Sequence, residues 1–353
     1  MKKKVKVLMC GSELSVKGGM VSVIKNYLGY DKWDNVEITY IPTHTEKNKI
    51  FVALYFLIAY IKVICTAFFG KYDILYLHTA ERGSFYRKAI LLRTARKFGI
   101  KTVMHHHAAE FEKFYESLSV RKKQYVNETL KLADLNIVLS ERLVPMIKNK
   151  EPMANVKVLY NAVHTYKTNP YNKNATNILF LGRLGKRKGV YDLIKVIKEI
   201  NNCIDPQIKF YLCGDGEIEK VKDTVRQQNI ENRIAYVGWI DAEQKKEILK
   251  NTMINVLPSY NEGLPMTILE TMSYGIPNIS TDIASIPEVI NSGKNGFLIK
   301  PGDTRQLSEY IKQLCKNSKL RSSMSDQCWL EVTEKFGLDV HINILTEYLT
   351  ELI

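Results

Sequence analysis

The chain has 353 residues, of which 45% are hydrophobic and 25% charged, a composition that excludes disordered, fibrous and repeat proteins and predicts roughly two globular domains. Its formal net charge of +14 is uneven, because residues 1–165 hold 27 Lys and Arg against 14 Asp and Glu, whereas the remainder holds 24 against 23. The basic half indicates an anionic partner, such as nucleic acid, a membrane surface or a phosphorylated substrate.

The first residues and the cysteines are typical of a cytosolic protein. The stretch "MKKKVKVLMCGSE" is basic at its start, but its apolar run is too short for a signal peptide, so we expect a first strand there. The six cysteines are scattered without a CxxC pair and are expected to be reduced and buried.

Residues 1–165 alternate short apolar runs with helical patterns. Strands are predicted at "KVKVLM", "VEITYI", "DILYL", "KTVM", "LNIVL" and "VKVLY". Strict alternation of strand and helix indicates right-handed βαβ units and a parallel sheet covered on both faces. The first half is therefore predicted to be a doubly wound α/β domain.

Residues 50–69 could cross a membrane by length and composition, because these twenty residues carry one charge, Lys62. The alternative is a helix that is buried or lies at an interface. The strand-like "YDILYLH" follows at once and no second apolar segment is available as a partner, so the alternative is favoured.

The second half repeats the alternation after a linker at 161–176 that is rich in Asn, Thr and Pro. Strands are predicted at "NILFLG", "IKFYLCG", "IAYVG", "MINVLP" and "PNIS". Helical patterns then occupy 304–316, 318–335 and 338–352 with no further strand, so these helices must pack on structure already formed.

Ligands of doubly wound folds bind where strands lead into helix N-termini, whose free amides favour anions. Gly18 and Gly19 follow the first strand and would let the backbone approach a phosphate, although a turn needed only for packing is an alternative. Arg183 and Lys188 follow the first strand of the second domain and could converge on one anionic group. The alternative for both is an ordinary solvated charge.

The stretch "NEGLPMTILE" places Glu262 at the mouth of a helix expected to start near Gly263 or Pro265, with Glu270 one to two turns further on. Carboxylates accept hydrogen bonds from vicinal hydroxyls, so two acids at two depths suit a ligand with two sugars. Two glutamates at this spacing also occur by chance. The position of this pair in a loop and helix between two predicted strands is what favours a binding site.

Two other kinds of site are disfavoured. The glycine loops lack the G-x-G-x-x-G order of nucleotide-dependent dehydrogenases. No metal site is predicted, because no Asp-x-Asp occurs and adjacent strand residues point to opposite faces, so His105, His106 and His107 cannot all bind one ion. Of these, His107 is the one expected to reach the site, although a structural histidine is the alternative.

Taken in order, "KGGM", "HHHAAEF", "LYNAV", "FLGRLGKRKG", "CGDGE", "VGWI", "NEGLPMTILE" and "GIP" resemble glycosyltransferase family 4, the retaining transferases with the GT-B fold that include enzymes of bacterial polysaccharide synthesis. The resemblance implies an α/β protein with two Rossmann-like domains facing across a cleft. It implies an acceptor domain at 1–165, a nucleotide-sugar domain at 166–337, and a last helix at 338–353 that crosses back to the first domain.

The resemblance also implies roles for individual residues. Glu270 would bind the ribose, Glu262 with the amides of Gly263 and Leu264 would hold the transferred sugar, and Arg183 and Lys188 would neutralise the diphosphate beside the Gly18–Gly19 loop. The nucleotide base would lie near Gly214 to Glu217 and near Gly238, Trp239 and Ile240. His107 would lie at the reacting sugar carbon, with Glu110 and Phe111 on the acceptor side. The hinge motif departs from the family, since Ala162 follows Asn161 where a glycine is usual.

The implied reaction moves a hexosyl or N-acetylhexosaminyl group from a nucleotide-sugar, by family frequency a UDP-sugar, without a cofactor or metal. The basic charge and the apolar 50–69 segment lie in the acceptor half, which favours a lipid-diphosphate-linked acceptor and a cytoplasmic protein attached peripherally to the anionic inner face of the plasma membrane. A soluble glycan acceptor, a non-catalytic nucleotide-sugar-binding protein and, least favoured, a nucleic-acid binder are the alternatives.

Overall fold

The computed structural model of this chain describes residues 4–108 and 110–353. The chain divides into two compact units, one formed by Met1–Ala162 together with Leu338–Ile353 and the other by Val163–Gly337. Each unit contains its own six-stranded sheet.

The first unit is built on a parallel sheet with the strand order β2-β1-β3-β4-β5-β6. Its strands are β1 (Val5–Gly11), β2 (Val36–Pro42), β3 (Ile74–Thr79), β4 (Lys101–His106), β5 (Leu135–Val138) and β6 (Val156–Val158). Its helices before the second unit begins are α1 (Gly19–Gly29), α2 (Lys49–Phe69), α3 (Gly83–Lys97), α4 (Phe111–Glu116), α5 (Val120–Leu132) and α6 (Val144–Lys148).

The second unit has the strand order β12-β11-β10-β7-β8-β9, also parallel. Its strands are β7 (Asn177–Leu181), β8 (Lys209–Cys213), β9 (Ile234–Gly238), β10 (Thr252–Leu257), β11 (Asn278–Thr281) and β12 (Gly296–Ile299). The remaining helices are α7 (Val190–Ile200), α8 (Ile218–Gln227), α9 (Ala242–Lys250), α10 (Met266–Ser273), α11 (Thr304–Lys316), α12 (Ser318–Lys335) and α13 (Leu338–Thr350), the last belonging to the first unit.

Both sheets are covered on two faces, which explains their continuous apolar strands. Every residue of β3, β5 and β10 is buried, as expected for central parallel strands that pack helices on each side. The predicted α/β class with two doubly wound sheets is therefore confirmed. All eleven predicted strands are present, and the short β12 at the sheet edge is a twelfth that the pattern did not predict.

The strand order of each sheet reverses at one point, and such switch points are where open α/β sheets bind ligands. In the first sheet the reversal lies between β1 and β3, and in the second it lies between β7 and β10. The loops that follow these four strands are therefore the places at which to look for a site.

Helix α2 contains the apolar 50–69 segment and is unusually exposed. Ala59, Val63 and Ala67 are its buried residues, and they pack small side chains into the core of the first unit. Within the described residues, α2 is the one helix long and apolar enough to cross a membrane by length and composition. Its exposed large apolar side chains are Ile50, Phe51, Leu54, Leu57, Ile58, Ile61, Phe68 and Phe69.

Candidate functional site

Three loops at the carboxyl edge of the second sheet are joined by backbone hydrogen bonds. The amide of Gly182, after β7, donates to Cys213 at 2.9 Å, and the amide of Leu184 donates to Asp215 at 2.6 Å. The amide of Gly214, after β8, donates to Gly238 at 2.8 Å. The segments predicted to border a nucleotide base are therefore held beside the loop that carries Arg183.

Two glycines in these loops are required by close backbone contacts. Gly189 has a φ of +76°, and a Cβ there would overlap the carbonyl oxygen of Pro258 in the loop after β10. Gly214 has a φ of +157°, and a Cβ there would overlap the carbonyl oxygen of Gly182. No other residue type fits either position without moving the backbone, so the glycines bring the loops of β7, β8 and β10 together.

Lys188 and Glu262 form a buried ion pair across the β7/β10 switch point. The Nζ atom of Lys188 lies 2.5 Å from Oε1 and 2.7 Å from Oε2 of Glu262. The side chains are 16% and 5% exposed, respectively. Ser259 donates a further hydrogen bond to Oε1 of Glu262 at 2.7 Å. The sequence analysis assigned the diphosphate to Lys188 and the transferred sugar to Glu262. The structure shows in addition that Glu262 fixes the position of the Lys188 ammonium.

Arg183 lies in the same loop as Lys188 but has a different environment. Its side chain is exposed and, among the described residues, it forms no hydrogen bond or ion pair, although its charge contributes to lowering the pKa of Glu217 after the hydrogen bonds from Tyr191 and Lys220. Helix α7 begins at Val190 with Gly189 as its N-cap and no side-chain cap. The first amides of α7 therefore remain available, and together with Arg183 they can bind an anion.

Glu270 lies within α10, at its fifth residue, while Glu262 lies in the loop before that helix. The Oε2 atom of Glu270 accepts a hydrogen bond from Nζ of Lys245, on α9, at 3.0 Å. The pair is partly exposed, so the carboxylate has lone pairs left for a ligand hydroxyl. The neighbour Lys245 was not predicted, because nothing in its local sequence distinguishes it from other helix lysines.

The other predicted donor-binding residues of this unit surround the same edge. Leu264 and Ile240 are buried, whereas Trp239 is 47% exposed and its carbonyl accepts a hydrogen bond from Tyr236 at 2.6 Å. Gly263 accepts a backbone hydrogen bond from Ser285 at 3.4 Å. The buried side chains fix the loops, so these segments offer backbone groups and the exposed indole of Trp239 to a ligand.

In the first unit, Gly18 is the N-cap of α1 and Gly19 is its first residue, after the loop that follows β1. No side chain caps this helix, and no atom lies within 4 Å of the place a Cβ on Gly18 would take. The first amides of α1 therefore have no side-chain cap, and anion binding at this glycine loop stays a prediction.

His107 follows β4 and belongs to a cluster of three imidazoles. Its Nε2 lies 2.9 Å from Nδ1 of His78 on β3, and its ring centroid is 4.2 Å from that of His105. Each residue offers a nitrogen within 4.8 Å of the others, a spacing that a metal could use. His106 points to the other face, where it contacts Asn136, so the predicted alternation is confirmed. His78 could not be identified from sequence, since it joins the others only through strand pairing.

The histidines of this unit are held neutral. Burial, followed by the charges of neighbouring histidines, lowers the pKa of His107 to about 3. Burial lowers the pKa of His106 and of His341 to about 4 in each case. A neutral His107 can accept one hydrogen bond from a sugar hydroxyl, or donate one to it, without adding positive charge to the site.

Acidification is expected to destabilise the first unit. The unfolded chain binds protons at these histidines near pH 6.5 whereas the folded chain does not, so stability is full above pH 6.5 and falls as the pH falls towards about 4. His106 and His341 should each account for about 2 kcal/mol at pH 5. Urea unfolding at pH 7 and pH 5, followed by fluorescence of a variant in which Trp239 and Trp329 are replaced by Phe so that Trp33 is the reporter, checks this. Equal stabilities at both pH values would contradict it.

The two predicted acceptor residues lie at the start of α4. Glu110 is its N-cap and forms ion pairs with Arg82 at 3.5 Å and Lys113 at 3.7 Å. Phe111 is 1% exposed and packs against Phe85, so its ring belongs to the core of this unit. Glu110 is therefore the one of the two that offers a polar side chain to solvent.

Residues 166–328 match the family model described as "Glycosyl transferases group 1". The matched segment lies within the second unit and contains Arg183, Lys188, Glu262 and Glu270. The sequence pattern of that family thus coincides with the loops that form the switch-point site.

Known proteins resemble the chain over different lengths. It is 24% identical over 329 residues to an uncharacterized 41.2 kDa protein in the cps region of Klebsiella pneumoniae, covering 84% of this chain and 87% of that one. It is 33% identical over 186 residues to the lipopolysaccharide 1,6-galactosyltransferase of Salmonella typhimurium, covering 50% of each. The chain thus spans about half the length of this named transferase.

Solved structures match almost the whole chain. Anabaena HepE in complex with UDP has a TM-score of 0.77 and 17% identity, covering 98% of this chain and 100% of that one. At this identity the likeness shows the fold, and the GT-B class implied by the sequence motifs is confirmed.

Proposed function

We propose that this chain is a retaining glycosyltransferase of family 4, which moves a hexosyl or N-acetylhexosaminyl group from a nucleotide-sugar to a hydroxyl of a glycan or lipid-linked glycan. The observation that carries the proposal is the Lys188–Glu262 ion pair at the β7/β10 switch point, beside the unpaired Arg183. The segment matching the transferase family contains these residues, and the solved neighbour with UDP favours a UDP-sugar as donor.

The arrangement suits a reaction in which a diphosphate departs. The acceptor oxygen bonds to the sugar carbon as the bond from that carbon to the diphosphate oxygen breaks, and the acceptor proton passes to the departing diphosphate. Negative charge therefore grows on that oxygen. Lys188, held by Glu262, and the first amides of α7 are fixed before the reaction, and Arg183 in the same loop can reach the departing oxygen, so these groups stabilise the transition state more than the ground state.

The acid groups would bind the two sugars of the donor. Glu270, partly exposed on α10, can accept hydrogen bonds from the ribose diol. Both oxygens of Glu262 accept hydrogen bonds from Lys188 or Ser259, and their remaining lone pairs, together with the backbone amides of Gly263 and Leu264, would hold the transferred sugar. No cofactor or metal is required by this scheme, since the cations come from side chains.

A thermal-shift screen with UDP-, GDP- and ADP-sugars, followed by product analysis with a lipid-linked acceptor, tests the proposal. One class of nucleotide-sugar should raise the Tm of the chain and be consumed. Glu270→Ala should abolish the shift, while Glu247→Ala, an exposed acid on α9, should keep it. A shift without donor consumption would identify a nucleotide-sugar-binding protein instead, and no shift with any donor would contradict the proposal.

We propose further that the protein works at the cytoplasmic face of the plasma membrane, with α2 lying in the interface. The helix exposes a long apolar row, and lysines at 47, 49, 62 and 71 are exposed along or beside it. Interfacial helices combine these two features. Because Ala59 and Val63 pack into the core, lying on the membrane preserves the fold, whereas crossing it would expose that core.

Flotation with anionic vesicles checks this proposal. The unmodified chain should float at low salt and less at high salt, because charge attraction is screened. Leu54→Ser with Ile58→Ser should weaken vesicle binding roughly tenfold or more, since each large apolar side chain contributes about 1.5 to 3 kcal/mol on burial. Val120→Ser, which alters an 82% exposed apolar residue on α5, is the matched control. Failure of the unmodified chain to float at low salt would exclude the interface.

A further inference from the structure

A group of basic side chains, two of them cationic, lies at the switch point of the first sheet, between the ends of β1, β2 and β3. We call it the basic cluster, formed by His44, Arg87 and Lys88. Lys88 lies on α3, the helix that follows β3, and its ammonium donates a hydrogen bond to the hydroxyl of Thr43, directly after β2. Lys88 is 1% exposed, so this charged group is removed from water.

The cluster contains polar atoms with no internal partner. The Nε atom of Arg87 and the Nδ1 atom of His44 are both buried without a hydrogen bond. Among the described residues, Arg87 forms no ion pair either, and its guanidinium lies near Gly83, at the first turn of α3. Buried polar atoms are nearly always paired, so two orphans in one place indicate that a ligand completes the site.

Among the described residues, no carboxylate pairs with Arg87 or Lys88. Within residues 4–108 and 110–353, the one hydrogen-bond partner of Lys88 is a neutral hydroxyl, and burial raises the pKa of neighbouring Cys10 to about 12, which keeps the thiol uncharged. The charge of Glu13 acts on His44 alone of the three cluster residues, and its carboxylate accepts hydrogen bonds from Thr45 and Tyr55. Burial, and then the charges of Arg87 and Lys88, lowers the pKa of His44 to about 4. Buried cations are normally paired, so this excess of positive charge is costly without an anion.

The backbone at the start of α3 also favours an anion at the basic cluster. Helix α3 begins at Gly83 after a residue in the left-handed region, Arg82, and no side chain caps it. Its first amides and the positive end of its dipole thus lie beside Arg87. A guanidinium fork next to free amides is an arrangement that binds planar or tetrahedral oxyanions.

We propose that the basic cluster binds an oxyanionic group of the acceptor, a phosphate or a carboxylate. This rests on the proposed function and narrows its acceptor to an anionic molecule. The donor diphosphate has its own cations, Arg183 and Lys188, in the other unit, so the two anion sites are separate sets of residues.

Calorimetric titration of the full chain with orthophosphate and with succinate tests the assignment, and the two anions distinguish a phosphate site from a carboxylate site. Arg87→Gln is the primary variant, because its side chain has no internal partner to lose. It should weaken binding of the preferred anion about tenfold or more, the usual share of one charged hydrogen bond. Lys88→Met should do the same, and Arg121→Gln, an exposed arginine on α5, should leave binding unchanged.

A second series separates this site from the donor site. Arg183→Ala should weaken UDP binding and any anion binding at the switch point of the second sheet, whereas the anion binding that depends on Arg87 should persist in this variant. Unchanged UDP binding in Arg183→Ala would count against the proposed function but not against the basic cluster. The assignment would be overturned if Arg87→Gln and Lys88→Met bind both anions as tightly as the unmodified chain does. It would also be overturned if all anion binding by the unmodified chain is lost in Arg183→Ala.

Discussion

Arg183→Ala is expected to lower the kcat of sugar transfer by about 10² to 10³-fold, the usual effect of removing one group that stabilises a developing oxyanion. The free energy of unfolding should stay within about 0.5 kcal/mol, because the side chain is exposed and has no hydrogen bond or ion pair in the described chain. Steady-state kinetics together with urea unfolding measures both quantities on one preparation.

Lys186→Ala is the matched control for this prediction. It removes an exposed positive charge from the same loop, three residues away, at the start of the short turn before α7. Its kcat should remain close to that of the unmodified enzyme. If both variants lose the same modest activity, the loop acts through its general charge, and the assignment of Arg183 to the diphosphate is wrong.

Lys188→Ala is expected to cost both activity and stability, unlike Arg183→Ala. Removing the ammonium leaves Glu262 buried with one partner, Ser259, and breaking a buried ion pair typically costs about 3–5 kcal/mol of unfolding free energy. The kcat should fall by about 10² to 10³-fold for the same electrostatic reason as above. Chemical unfolding of the second unit and transfer kinetics are the measurements.

A compensating variant separates the two effects of this pair. Lys188→Met combined with Glu262→Gln removes both charges, so most of the lost stability should return while transfer stays low. Lys250→Ala, which breaks the exposed pair with Glu247 on α9, should cost at most about 1 kcal/mol. Equal costs for Lys188→Ala and Lys250→Ala would show that the buried pair is not the structural centre of the site.

The strands could be predicted because burial on both faces leaves a readable signal. A parallel strand such as β10 must be apolar along its whole length, and the sequence between its turns contains little else. The four-residue β12 was missed, since a short edge strand has too few buried positions to produce a pattern.

The site could be predicted as a set of residues but not as an arrangement. Arg183, Lys188, Glu262 and Glu270 follow strands β7 and β10, and the order of strands in a wound sheet brings those ends together. The pairing of Lys188 with Glu262 is set by side-chain reach between loops 74 residues apart. No local pattern encodes such a distance, and the same reason concealed Lys245 and Ser259.

In the first unit, strand pairing and burial identified side chains that no sequence motif indicated. The three consecutive histidines form a motif, yet the imidazole that hydrogen-bonds His107 comes from His78 on another strand. Sequence alone did not single out the basic cluster, because Arg87 and Lys88 lie in a helix with three further basic residues, Arg93, Arg96 and Lys97. The overall positive charge of residues 1–165 indicated an anionic partner, but only burial identified which cations lack a counter-charge.

A crystal structure of this chain with UDP is the most direct measurement of the central claim, that the β7/β10 switch point binds a nucleotide diphosphate. The diphosphate should lie within hydrogen-bonding distance of Arg183, Lys188 and the first amides of α7, with the ribose hydroxyls at Glu270. UDP bound at any other place in the chain, with these four groups unoccupied, would contradict the account.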